Sequence, residues 1–149
     1  MSKVKTISIP NFTTASGSYY DKVELHYQHF GRNCINAPVV LINHSLTGDA
    51  NVAGSSGWWN EIVGPNLTID TKTYAILAFN IPGNGVNNYI IENYHDFHTG
   101  DIAEIFYKGL QVLGVEKLFA LIGGSIAVSY THLRAHETSL HLVCRLLLE

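Results

Sequence analysis

A chain of 149 residues, 46% hydrophobic and 14% charged, carries enough apolar material for one packed domain and too little charge for a disordered one. Nine Lys and Arg against twelve Asp and Glu leave a net charge of −3, which offers no basic footprint for nucleic acid or an anionic membrane. The opening "MSKVKTISIP" lacks a signal peptide's apolar run, no stretch approaches the ~18 apolar residues of a membrane span, and Cys34 and Cys144 make no disulfide framework, so a cytoplasmic protein is expected.

In chain order, "VKTISI" (Val4–Ile9) and "KVELHYQHFG" (Lys22–Gly31) alternate apolar and polar residues. The turn "ASGSYYD" between them predicts an antiparallel pair. "APVVLINHS" (Ala37–Ser45) is a continuous apolar run, the pattern of a strand buried on both faces, and "YAILAFN" (Tyr74–Asn80) and "KLFALIG" (Lys117–Gly123) repeat it. Between the last two, Ile102, Ile105, Phe106, Leu110 and Leu113 recur at helical spacing. Thr99 or Asp101 can cap that helix and Gly114 can end it. The expected fold class is α/β: antiparallel first strands, then buried parallel strands joined by a crossover helix.

Ser125 lies in "GGSIA" directly after the last buried strand. A strand-to-helix turn of the form G-x-S-x-G exposes a serine nucleophile, and the N–H after it helps to hold an oxyanion. Here Gly123 fills the first glycine position, Ile126 supplies the N–H, and Ala127 stands where the second glycine belongs. The plain alternative is a glycine-rich turn with a capping serine. "NHSLTGDA" (Asn43–Ala50), at the end of the first fully buried strand, is where a second oxyanion N–H belongs, at Leu46. His44 is read as orienting that loop, not as the general base.

Other residues invite weaker readings. His95 and His98 are expected to be loop or cap residues, and no metal site is expected. "PGNGVNN" lacks the spacing of a phosphate-binding loop. Trp58 and Trp59 could line an acyl pocket or simply cover the sheet. Asp49 and Asp101 precede Ser125, the wrong side for a triad running serine, acid, histidine; Asp101 fits better as a helix N-terminal carboxylate.

Taken together, His44–Asp49, Gly57–Trp59, Gly64–Thr71, Asn80 and Gly123–Ile126 resemble the homoserine O-acetyltransferases of the α/β-hydrolase superfamily, over roughly residues 20 to 126. The resemblance implies the N-terminal half of an α/β-hydrolase fold, ending at the nucleophile elbow. It implies acetyl transfer from acetyl-CoA, as co-substrate, to L-homoserine in methionine biosynthesis, with Ser125 as nucleophile and the Leu46 and Ile126 N–H groups as oxyanion hole. No bound cofactor is implied. The partners would be small molecules, acyl-CoA and homoserine, with a homodimeric parent left open. One departure is "IPGNGVNNYIIENYHDF" where the family has a glycine-rich loop, which leaves acyl group and acceptor open. An esterase or hydrolase of the same fold, and a non-catalytic fragment, stand as alternatives.

From Val128 the resemblance stops. "VSYTHLRAHET" and "LVCRLLLE" resemble translated sequencing-library adapters. The expected division is therefore residues 1–127, the N-terminal part of the hydrolase domain, and 128–149, a non-native tail, with Ala127 a junction residue. The catalytic Asp and His would lie beyond residue 127 of the parent, leaving this chain inactive. On that view the zinc-like spacing of His132 and His136 carries no meaning, and Leu142, Val143, Leu146 and Leu147 mimic a helical stripe. The strand around Lys117–Ile122 would be left with an unpaired edge, a template for aggregation.

Overall fold

The computed structural model describes residues 2–124 and 143–146. β1 (Lys5–Thr13) and β2 (Tyr19–Gly31) form the expected antiparallel pair. β2 then runs antiparallel to β6 (Ala75–Phe79), which is parallel to β3 (Val39–Asn43), and β3 is parallel to β7 (Ala120–Gly123) on its other side. The short strands β4 (Val63–Gly64) and β5 (Ile69–Asp70) pair with each other outside this sheet. With β8 (Val143–Leu146) the order is β1-β2-β6-β3-β7-β8. A parallel pair cannot be closed by a tight turn, so β6 reaches β7 through helix α1 (Thr99–Val112).

Every residue of β3 and β6 is buried. Successive side chains point to opposite faces, so both faces need cover. Val39 and Leu41, with Leu77 and Phe79, pack against Ile105, Phe106 and Leu110 of α1. Val40 and Ile42, with Ile76 and Ala78, pack against Val52, Val63 and Ile69 from the long connection between β3 and β6. Each such Val, Leu or Ile side chain taken fully from water contributes about 1.5–3 kcal/mol. That two-sided burial is why these strands read as unbroken apolar runs.

The cap of α1 falls on His98, one of the histidines expected in a loop or cap, and Asp101 serves as the expected N-terminal carboxylate. His98 is the N-cap residue, and neither Thr99 nor Asp101 takes that place. Asp101 sits three residues into the helix, where a carboxylate can reach back, and it accepts the His98 backbone N–H at 2.8 Å. Its other oxygen accepts the Ala15 N–H at 2.8 Å, tying the β1–β2 turn to the helix. Gly114, at φ 69°, ends the helix as expected: its N–H bonds Gln111 and the Val115 N–H bonds Leu110, the paired closure of a glycine C-cap.

The far edge requires a correction. Val143–Leu146, whose spacing suggested a helix, is strand β8 and pairs in parallel with β7 from Ala120↔Val143 to Gly123↔Leu146. An open strand edge is a strong template, and side-chain spacing over four residues cannot outweigh a ladder of backbone bonds. The edge of β7 expected to be bare is thus occupied. The rest of the 128–149 segment, with His132 and His136, lies outside the described residues.

Helix α1 approaches the sheet closely at Gly109. A Cβ there would stand 2.5 Å from Leu25 Cδ2 and 3.2 Å from Phe79 Cζ, both on fully buried side chains. Gly109→Ala should therefore destabilise the fold by about 1–3 kcal/mol, despite the ~1 kcal/mol by which alanine favours a helix. Urea unfolding of the two proteins measures this; equal or greater stability in the variant would show that the helix does not sit so close.

Candidate active site

The parallel register sets the ends of three strands level. Asn43 is paired with Phe79 on one side and with Gly123 on the other. The chain therefore leaves the sheet side by side at His44, Asn80 and Gly124, from strands about 4.8 Å apart. In sheets of this type ligands bind beyond the carboxyl ends of the strands. Ser125 and Ile126, the expected nucleophile and its oxyanion neighbour, lie just outside the described residues.

The loop after β3 is tightly organised. The Gly48 N–H donates to the Ser45 carbonyl at 3.0 Å, closing a turn that presents Leu46 at its tip with 67% of its surface exposed. Gly48 is needed because a Cβ would stand 2.9 Å from His44 Cβ. His44 itself is buried, at 1% exposure. Its Nδ1 lies 2.6 Å from the Ser45 carbonyl, and its Nε2 lies 3.2 Å from the backbone nitrogen of Ile81. A carbonyl can only accept and a peptide N–H can only donate, so Nδ1 carries the proton and Nε2 accepts. Burial pushes the His44 pKa below its usual 6.5, opposed by the Ser45 carbonyl and by Asp49. The ring is neutral and both nitrogens are engaged, which suits an orienting residue and not a proton shuttle.

Asn80 mirrors His44 from the other strand. It is 2% exposed, and its Oδ1 accepts the Ala50 N–H at 3.0 Å. Each of the two residues is the first beyond its strand, and each reaches the backbone of the other's loop. The role of Asn80 in fixing the β3 loop was not legible in the sequence. Its signals are an asparagine closing an apolar strand and its place in the family resemblance.

The tryptophans divide their work. Trp59 packs against the sheet, while Trp58 stays 42% exposed and donates from Nε1 to the Asp49 carbonyl at 3.0 Å. Their rings lie 4.7 Å apart. Trp58 thus borders the loop that carries Leu46. Asp49 accepts the Asn51 N–H and stabilises its own loop. His95 lies against Tyr94 with ring centres 4.0 Å apart and planes tilted by 35°, and His98 caps α1 as described. A cleft of about 590 Å³ opens at the opposite end of the sheet, beside Cys34, Pro38, Val115 and Phe119. It adjoins the N-terminal ends of β3 and β7, away from the strand ends where this architecture builds sites.

The chain matches a family described as the alpha/beta hydrolase fold over residues 38–127. It is 32% identical over 144 residues to the homoserine O-acetyltransferase of Methanobrevibacter ruminantium, an alignment covering 83% of this chain and 29% of that protein. The crystal structure of homoserine O-acetyltransferase from Staphylococcus aureus superposes with a TM-score of 0.82 at 25% identity, covering 98% of this chain and 46% of that one. An acetylester hydrolase from Corynebacterium glutamicum superposes at 0.71 with 23% identity, covering 86% of this chain and 38% of that one, a likeness of fold. The chain spans less than half the length of each of these three proteins.

The depressed His44 pKa has a consequence for stability. Between its folded value and the ordinary 6.5, the unfolded chain binds a proton that the folded chain refuses. Stability should fall as pH drops through that window and be unaffected by this group above it. In His44→Asn the acid-side loss should be smaller than in the unchanged protein, measured by urea unfolding between pH 7.5 and about 5. Identical pH profiles would mean that His44 is not held neutral by the fold.

Proposed function

The chain belongs to the alpha/beta hydrolase fold family, and on that premise we propose that it is the N-terminal part of an acyltransferase that moves an acetyl group from acetyl-CoA to L-homoserine. The observation that carries this reading is the double pairing of Asn43 with Phe79 and Gly123. It sets the loop after Asn43 beside Gly124, the residue before Ser125, so a nucleophile at Ser125 would have its oxyanion donor on the neighbouring strand. The likeness to homoserine O-acetyltransferases over most of this chain supports the choice of reaction.

In this mechanism the Ser125 oxygen attacks the thioester carbonyl, and the N–H groups of Leu46 and Ile126 hold the oxyanion. The C–S bond breaks and CoA leaves as its thiol. The homoserine hydroxyl then attacks the acyl-serine, forming the O-acetyl ester and freeing Ser125. A histidine takes the serine proton and returns it to the leaving sulfur, with a carboxylate orienting it. In the order serine, acid, histidine both follow the elbow, and we assign them to the uninterrupted protein beyond residue 127. The 149-residue chain by itself is then inactive, because a serine without its base is a weak nucleophile. Acetyl-CoA is a co-substrate, no resident metal is invoked, and the site of action is the cytoplasm.

The test uses the uninterrupted protein with acetyl-CoA and homoserine. Ser125 should become acetylated in a burst, and Ser125→Ala should abolish transfer. Leu46→Ala should do little, since the side chain is exposed and the backbone N–H is the working part. Leu46→Pro should cost about 10²-fold or more by removing that N–H. Unchanged turnover in Leu46→Pro would refute the oxyanion assignment. Acetyl release to water, unaffected by homoserine, would make the protein an esterase instead.

A further inference from the structure

We infer that His44 is a positioning residue that aims the Leu46 N–H by holding the carbonyl of the same peptide unit. The inference rests on the acyl-transfer reading above. The Ser45 C=O and the Leu46 N–H belong to one planar trans peptide, so they point in opposite directions and turn together. Whatever fixes the carbonyl fixes the N–H. Two donors converge on that carbonyl: His44 Nδ1 at 2.6 Å and the Gly48 N–H at 3.0 Å. The imidazole is fixed in turn from behind, where the Ile81 N–H donates to Nε2 at 3.2 Å.

The arrangement ties the oxyanion donor to the sheet. Ile81 follows β6 directly after Asn80, and Asn80 Oδ1 holds the Ala50 N–H at the far end of the same loop. The stretch Ser45–Asp49 is therefore anchored to the end of β6 at both of its ends, by side chains that are 1% and 2% exposed. A preorganised donor costs no reorganisation as charge develops on the substrate oxygen, which is what gives such N–H groups their catalytic effect. His44 touches no reacting atom in this scheme. It works through the Ser45–Leu46 peptide.

Substitution chemistry separates the two ring nitrogens. An asparagine amide nitrogen takes the place of Nδ1 and can still donate to the Ser45 carbonyl. A glutamine oxygen takes the place of Nε2 and can accept the Ile81 N–H, but leaves that carbonyl to Gly48 alone. The experiment is steady-state kinetics of the uninterrupted protein with His44→Asn, His44→Gln and His44→Leu. His44→Gln and His44→Leu should lose about 10²-fold in kcat with the KM for acetyl-CoA little changed, while His44→Asn should retain activity within about tenfold. Nitrogen-15 NMR of the unsubstituted protein should show the His44 ring protonated at Nδ1 and bare at Nε2.

A merely structural histidine would give losses that follow thermal stability, with His44→Asn no better than His44→Gln. That result, unchanged kcat in His44→Leu, or a ring protonated at Nε2 would each overturn the inference. If the unsubstituted protein failed to acetylate Ser125, the acyl-transfer reading would fall first, and the NMR would still report on the His44 geometry by itself.

Discussion

Asn43 is hydrogen-bonded into the sheet from both sides, level with Phe79 and Gly123, and the candidate site depends on that alignment. Parallel strands have no turns to set their stagger. Their register is set by side chains that must meet the right layer on each face. Sliding β3 by one residue would turn Val39 and Leu41 towards the layer that now covers Val40 and Ile42. The two layers differ in kind: helix α1 on one face, the irregular connection through β4 and β5 on the other. Packing thus locks the register, and the register brings the loop at His44 beside the loop at Asn80 and the end of β7 at Gly124.

Three buried polar residues tie distant segments together. His44, Asn80 and Asp101 are each nearly inaccessible, and each accepts a hydrogen bond from a backbone N–H of a segment distant in sequence. Leaving such a group unpaired would cost about 1–3 kcal/mol. Each of these contacts is therefore a demand on geometry as well as a source of stability. The apolar core fixes the strands, and the polar contacts fix the loops that the strands present. Asp101 anchors the β1–β2 turn to α1, while His44 and Asn80 fasten the rim of the candidate site.

Much of the fold is legible in the residues alone. The three apolar strands, the antiparallel first pair and the crossover helix follow from apolar periodicity. Their type holds even where the ends move, as for β7, which begins at Ala120 and not at Lys117. The place of His44 at the end of a buried strand suggests a loop-ordering residue, and in the fold its ring meets the Ser45 carbonyl and the Ile81 N–H. The exact N-cap of α1 is not legible because Thr99, Asp101 and His98 can each stand at a helix start. The choice depends on where Asp101 can also reach Ala15, which is 86 residues earlier.

The sequence by itself determined the α/β class and the order of the elements, and it nominated Ser125 and Leu46 as the candidate nucleophile and oxyanion donor. These follow from local rules: apolar period, turn residues and the spacing of glycine around serine. Only the tertiary structure decided which loops meet. The hydrogen bonds from Ile81 to His44 and from Ala50 to Asn80 join residues 37 and 30 apart, and no local pattern encodes them. It also decided that Val143–Leu146 is a strand, because a partner edge on β7 supplies backbone bonds that a four-residue stripe cannot offer itself. These contacts close only once β3 and β6, far apart in sequence, pair side by side in register.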